Sequence, residues 1–486
     1  MSKKIDVELN REHLIAQSPL TNFLSIFKDI AGIYNCHPYL TGGSVRDLLL
    51  NRKAKDWDIA VTGNIGKIAK VFSKKINGKC ITLDEIFQTF RVIKGDLIFD
   101  FTTLRENDIL EELRIRDYTV NALAIDLLNP ASIIDPLGGL SDLEKRRIHL
   151  ISPSALSSDP LRVLRAFRLA AELNFSIDEY TCLGLKTYAY LLEHVAKERI
   201  RQELDFLFST SNVSYWLSEM GSLGIFKFIL PEIEALKGVA QNDFHHLDVY
   251  EHSLLSLAYI ERILGSPRRF FYTHLNRIDT YLKDPKCHVY LKWAALYHDL
   301  GKPACQVLGG KRTTFYGHDR VSAEIFSNIA KRLRFSKKNS DAITFLILHH
   351  MRPFYLLHIY QRATLTMRAI HRLVRAVGSH VIGLFLLAMA DSLATKGDGK
   401  PKDYEEHLRS LFSHVMDVYE SYLQIKERPR LVTGRDIQVW FGLPPCPKVG
   451  VLLKQVEMAQ LSGEVSTKEE AKAWLENKMQ DKYRVS

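Results

Sequence analysis

In the first third of the chain, apolar residues come in short alternating runs; beyond it they recur every three or four positions. Residues 57–62, 90–93 and 97–102 carry the short-run pattern of strands. Thr41-Gly42-Gly43 is a turn that opens a helix over residues 44–50. From about Asp159 the period is that of a helix: Leu161, Leu164 and Ala171, then Leu291, Ala294 and Ala295, and later Leu384, Leu387 and Met389. Weak breaks fall at Leu230-Pro231, at Gly265-Ser266-Pro267 and across residues 396–401. The pattern predicts an α+β head (1–145), an all-α neck (146–235), an all-α middle domain (236–400) and a helical tail (401–486). The sequence holds no internal repeat.

Composition changes this picture little. With 46% hydrophobic and 25% charged residues and no low-complexity tract, the chain is that of a folded protein. No apolar run near a terminus approaches the roughly 20 residues that span a bilayer, and residues 1–8 lack the apolar core of a signal peptide. The expectation is a protein with no membrane partner. Cys36, Cys80, Cys182, Cys287, Cys305 and Cys446 are scattered without a C-x-x-C pair, which suits free thiols in the cytoplasm. The net charge of +10 fits a nucleic-acid partner and a merely basic surface equally well.

Candidate chemistry begins at the glycine turn. Nine residues after Gly42-Gly43-Ser44-Val45-Arg46-Asp47 comes Asp56-Trp57-Asp58. In a strand, residues i and i+2 share a face, so Asp56 and Asp58 point together while Trp57, Ile59 and Val61 take the apolar side. Paired carboxylates suit Mg²⁺. Gly42 and Gly43 allow close backbone approach to phosphate at a helix N-terminus, and Arg46 adds a charge-assisted contact.

In this order the motifs resemble the polymerase-β-type nucleotidyltransferases, and more narrowly the bacterial tRNA nucleotidyltransferase and poly(A) polymerase family. Further segments are similar in the same order: 116–122, 135–143, 159–166 and 198–204. The resemblance implies a two-metal attack of the RNA 3′-hydroxyl on an NTP α-phosphate. It would add C and/or A, from CTP and ATP, to the tRNA 3′ end without a template. Asp56 and Asp58 would hold Mg²⁺; Asp100 is either a third carboxylate or a plain strand-end aspartate. Arg116, Asp117 and Asn121 would face the ribose and triphosphate. Asp159 and Arg162, three apart on one helix face, would read a base edge, and Arg165 and Arg168 would neutralise phosphate or neighbouring carboxylates. Ser158 and Ile115 depart from the family pattern, and the segment 104–115 is short. Members that add only CC tend to have that segment shortened, so the A step is left open. The alternatives are a poly(A) polymerase, or a phosphohydrolase whose head binds RNA.

The middle domain holds His252, His298-Asp299, His318, His349-His350 and Asp391. Imidazole and carboxylate together suit a divalent transition metal as well as Mg²⁺. The ordered series resembles the HD superfamily of metal-dependent phosphohydrolases. That resemblance implies a first metal on His252, His298, Asp299 and Asp391, with His318, His349 and His350 serving a second metal or substrate phosphate. Lys302 beside them is either a phosphate contact or solvated. Basic residues at 331–338 and at Arg362, Arg368, Arg372 and Arg375 are either RNA-phosphate contacts or solvated helix faces.

Overall fold

The computed structural model describes residues 18–483 apart from 55, 85–88, 105–106, 310–311, 428–430 and 462, so the segment 1–8 lies outside it. Two compact units emerge, one of residues 1–210 and 216–231, the other of 211–215 and 232–486.

The first unit runs α1 (Leu24–Tyr34), β1 (Pro38–Thr41), α2 (Gly43–Leu49), β2 (Trp57–Val61), α3 (Ile65–Lys75), β3 (Lys79–Asp84), β4 (Thr89–Lys94), β5 (Leu97–Thr103), α4 (Ile109–Arg114), β6 (Ala124–Asp126) and β7 (Ile133–Ile134). The helices α5 (Gly139–Glu144), α6 (Pro153–Ser158), α7 (Arg162–Leu173), α8 (Glu179–Tyr188) and α9 (Lys197–Phe208) follow. The sheet order is β3-β4-β5-β2-β1-β6-β7. Only β2 and β5 pair in parallel, and their register sets Asp58 directly beside Asp100. Alternation explains the layering. Phe99 and Phe101 flank Asp100 and turn to the side where Phe27 and Phe72 stack at 4.8 Å. Burying these rings fixes the register, because a one-residue slip would send the carboxylates into the aromatic layer.

The neck is helical, as expected, with one short parallel pair between Arg147–Ile148 and Ser176–Ile177. Residues 162, 165 and 168 form a half-buried arginine stripe along α7, whose other positions are nearly all buried.

In the second unit, helices Val249–Gly265, Pro285–Tyr297, Lys337–His349 and His380–Ala394 pack on one another. His380–Ala394 is the central rod, buried from Val381 through Ser392. The expected all-α middle domain also carries a hairpin, Val307–Gly309 with Arg312–Thr314. Residues 396–401 are not a slack linker: the Gly397 and Gly399 amides donate to the carbonyls of Phe244 (2.7 Å) and Asp243 (3.1 Å). A Cβ on Gly397 would lie 2.2 Å from the Asp243 carbonyl oxygen, so only glycine fits there. Helix Tyr404–Glu427, assigned to the tail on sequence, packs against Arg352–Gln361, Met367–Val377 and His380–Ala394. Three further helices close around a separate small core of Ile437, Val456, Ala471 and Leu475. Among the described residues no single helix is long and apolar enough to cross a membrane.

Candidate active site and metal centre

The head site begins with Ser44. Its buried hydroxyl donates to the Asp56 carbonyl at 3.1 Å and accepts from the Asp58 amide at 2.9 Å. The first turn of α2 is thereby stitched to the entrance of β2, where both carboxylates stand. Asp56 itself precedes the strand, which starts at Trp57. Gly42 sits at φ +71°, and a Cβ there would meet Arg116 Nη1 at 2.3 Å and Asp58 Oδ2 at 3.4 Å. The turn is therefore glycine because backbone, guanidinium and carboxylate converge on it.

Burial, with Asp56 and Asp100 nearby, pushes the Asp58 carboxyl up to about 6, against the pull of Arg116 and Arg46. Such a crowded carboxylate favours a cation beside it. Asp100 lies alongside but is held bidentately by Arg91, at 2.7 Å for each bond.

A cleft of about 570 Å³ opens over this pair, lined by Gly43, Arg46, Asp56, Asp58, Arg116, Asp117, Asn121, Arg162 and Arg165 among others. Its wall is one hydrogen-bonded chain. Arg46 Nη1 donates to Asn121 Oδ1 (2.6 Å), Asn121 Nδ2 to Asp117 Oδ1 (3.1 Å), and Arg165 Nη1 to Asp117 Oδ2 (3.1 Å). Burial alone would raise the Asp117 carboxyl, but Arg165, Asn121 and the Tyr118 amide hold it below the usual carboxylate value. Arg165 and Arg168 also face Glu203 of α9, at 3.6 and 2.6 Å. Of the two roles open to these arginines, the structure gives them carboxylate partners.

Two expectations need correction. Asp159 and Arg162 do not share a helix face. Asp159 is extended, at φ −142°, and α7 starts only at Arg162. The cause is Pro160, which disfavours helical geometry in the residue before it. Asp159 instead pairs with Arg199 at 3.2 Å. Arg162 Nη1 donates to the carbonyls of Ile115 (3.1 Å) and Ala155 (3.2 Å), while its α7 position still faces the cleft.

In the second unit, six of the seven expected ligands meet, with Asp299 at their centre. His252 Nε2 stands 3.5 Å and His298 Nε2 3.2 Å from Asp299 Oδ2, and His318 Nε2 is 3.3 Å from Oδ1. Asp391 Oδ1 is 3.1 Å from His252 Nε2, and His350 Nε2 is 3.1 Å from His318 Nε2. The outer nitrogens explain the convergence. Nδ1 of His298, His318 and His350 faces the carbonyl three residues earlier at 2.9, 2.8 and 2.7 Å. Donation there leaves each Nε2 lone pair aimed inward, the usual arrangement behind a metal-binding histidine. Burial and the neighbouring His318 and His298 lower the His350 imidazole to about 3, so it is neutral. Asp299 is held well below the carboxylate range: His298 and Lys302 outweigh its burial. Imidazoles with inward-facing Nε2 atoms beside carboxylates held ionised are the donor set that suits a divalent cation.

His349 is the second correction. It packs its ring on Phe345 at 4.4 Å and joins none of the ligand groups among the described residues. His350 holds the position that faces the cluster, and His349, about 100° away around the helix, turns to Phe345 instead. Lys302 is buried against Asp299 at 2.6 Å rather than solvated. The sequence reading passed over His245, which groups with His252 and Asp391. The adjacent His245-His246, seven and six residues before His252, was the available signal. It also passed over Ser44, at the variable position of the glycine motif, and Glu203, in the last neck motif.

A two-carboxylate nucleotide cleft on a mixed sheet, with a separate histidine–aspartate metal centre, defines a nucleotidyltransferase joined to an HD domain. Family profiles agree: "Poly A polymerase head domain" matches residues 38–115 and 106–149, and "HD domain" matches 249–378. A profile of tRNA nucleotidyltransferase domain 2 matches 403–474. The chain is 30% identical over 449 residues to the A-adding tRNA nucleotidyltransferase of Deinococcus radiodurans, spanning 90% of this chain and 94% of that one. It is 31% identical over 443 residues to the CC-adding tRNA nucleotidyltransferase of Thermus thermophilus, spanning 89% and 92%. The protein belongs to the tRNA nucleotidyltransferase family. Its fold is similar to that of the Thermotoga maritima CCA-adding enzyme complexed with tRNA, at TM-score 0.64 and 21% identity over 96% of this chain and 98% of that one.

Proposed function

We propose that the protein adds C and/or A, without a template, to the 3′ end of tRNA, using CTP and ATP. The observation that carries this is Ser44 stitching Asp56 and Asp58 to the glycine turn at the base of an arginine-lined cleft. Asp56 and Asp58, with Asp100 in support, would hold Mg²⁺. When bound, the ion supplies positive charge to the attacking hydroxyl and the departing pyrophosphate. Gly43 and the guanidinium groups of Arg46 and Arg116 receive the triphosphate. Asp117 and Asn121, locked in their hydrogen-bonded chain, meet the ribose. Arg162 offers donors to the incoming base; Asp159, displaced toward Arg199, would have to leave that partner to join it.

The histidine–aspartate cluster favours a second activity: hydrolysis of phosphate esters by a metal held on His252, His298, Asp299 and Asp391. His245, His318 and His350 stand ready for a second ion or the substrate phosphate. We place the enzyme in the cytoplasm, a reading supported by its six free cysteines.

Because an A-adding and a CC-adding relative are about equally similar, product analysis decides the specificity. Transcripts ending at the discriminator base, at C and at CC are each incubated with Mg²⁺ and with CTP, ATP or both. Extension to CC, by A alone, or to CCA each supports the reading and fixes the step. Long A tails on unrelated RNA would replace it with a poly(A) polymerase, and no addition at all would refute it.

A further inference from the structure

Residues 342–390 contain no aspartate or glutamate, yet carry Arg352, Arg362, Arg368, Arg372 and Arg375. Four of these, Arg362, Arg368, Arg372 and Arg375, are exposed. Among the described residues none of the four has an acidic partner. Arg368, Arg372 and Arg375 lie on the single helix Met367–Val377. At about 100° and 1.5 Å per residue they fall within an arc of about 60° and along about 10 Å of axis. Arg362 sits just ahead of that row.

Four acids of the neighbouring helix Tyr404–Glu427 are occupied elsewhere. Glu405 pairs with Lys400, Glu406 with Arg409, and Asp417 and Glu420 with His274. Among the described residues the guanidinium row therefore faces solvent without an acidic partner, a concentrated positive stripe suited to a polyanion. All four side chains are arginine, the residue whose planar fork suits phosphate oxygens.

We propose that this face is a docking rail for the phosphate backbone of the RNA whose 3′ end the head extends, an inference that rests on the tRNA reading above. A lipid surface fits less well. A helix lying on a bilayer must bury its apolar side in the membrane, and here Ile370, Leu373, Val374 and Val377 are already buried.

The test uses the full-length protein and the variant R368Q/R372Q/R375Q, with R368K/R372K/R375K as a charge-preserving control. Binding of a tRNA transcript lacking its terminal CCA is followed by fluorescence anisotropy across a KCl series. Each lost phosphate contact removes about 0.7–0.9 from the slope of log K against log salt. The glutamine variant should therefore lose about 2–3 from the slope and raise KM for the transcript about tenfold or more. Its kcat and its KM for the nucleotide that the wild type adds should stay at the wild-type values, and the lysine variant should keep the slope. An unchanged slope and KM overturns the rail. So does a glutamine variant that still binds RNA normally but no longer binds phosphatidylserine vesicles held by the wild type. Failure of the wild type to extend any transcript would refute the tRNA reading instead, and the salt slope would still report on the rail.

Discussion

Replacing Asp58 with asparagine tests the electrostatics of the head most directly. Burial and the neighbouring Asp56 and Asp100 raise this carboxyl from 3.8 to about 6. Between those two values the folded protein holds a proton that the unfolded chain releases. Folding stability therefore falls as pH rises through the window from about 4 to about 6, and stays lower above it. The difference corresponds to about 3 kcal/mol at pH 8. Asp58→Asn removes the ionisation while keeping the shape, so in EDTA at pH 8 it should stabilise the head by about 1–3 kcal/mol. The gain should fade below about pH 4, and Mg²⁺ should shrink it by stabilising only the wild type. Hydrogen exchange of peptides covering Trp57–Val61 isolates the head from the rest of the chain. Nucleotide addition should be lost in the same variant. A variant no more stable than wild type at pH 8, or a gain independent of pH, would refute the account.

Other substitutions probe separate links. Arg165→Ala would leave the buried Asp117 carboxylate without its guanidinium and Glu203 held by Arg168 alone, and should cost about 3–5 kcal/mol in urea unfolding of the head. Arg165→Lys should recover only part of that, since an ammonium group cannot span both carboxylates. Gly42→Ala, forced into a left-handed backbone and against Arg116, should cost about 1–3 kcal/mol by the same measurement and lower kcat more than tenfold. His350→Ala should reduce bound transition metal in plasma emission analysis, whereas His349→Ala should leave it unchanged; equal losses would contradict the separation of the two rings.

Much of this was legible from local pattern. The alternation of Trp57, Ile59 and Val61 with Asp58 is a period-2 signal, and these three positions are buried as read, although Asp56 lies just before the strand rather than in it. What escaped depends on contacts between distant positions or on helix phase. Asn121 reaches Arg46 across 75 positions, and Arg165 reaches Asp117 across 48. No spacing rule couples such pairs. Asp159 was misread although Pro160 was in plain view, because the apolar period of α7 was extended backwards through it. His349 and His350 could not be told apart without knowing which side of their helix faces Asp391. His245 lies outside any helix, where periodicity is silent.

The backbone pairing of Gly397 and Gly399 with Asp243 and Phe244 bears on how such proteins can be cut and recombined. A division at residue 400 looks natural by composition, yet Thr395, Lys400 and Tyr404 wall the cavity that holds Asp299 and Asp391. Residues 242–245 and 396–404 are thus one inheritable cassette, although about 150 residues separate them in the sequence. A chimaera that takes its HD segment from one parent and its following helix from another would inherit half a wall from each. Crossovers placed after the helix Tyr404–Glu427 keep that wall whole, and they are where exchange of the remaining C-terminal helices can succeed.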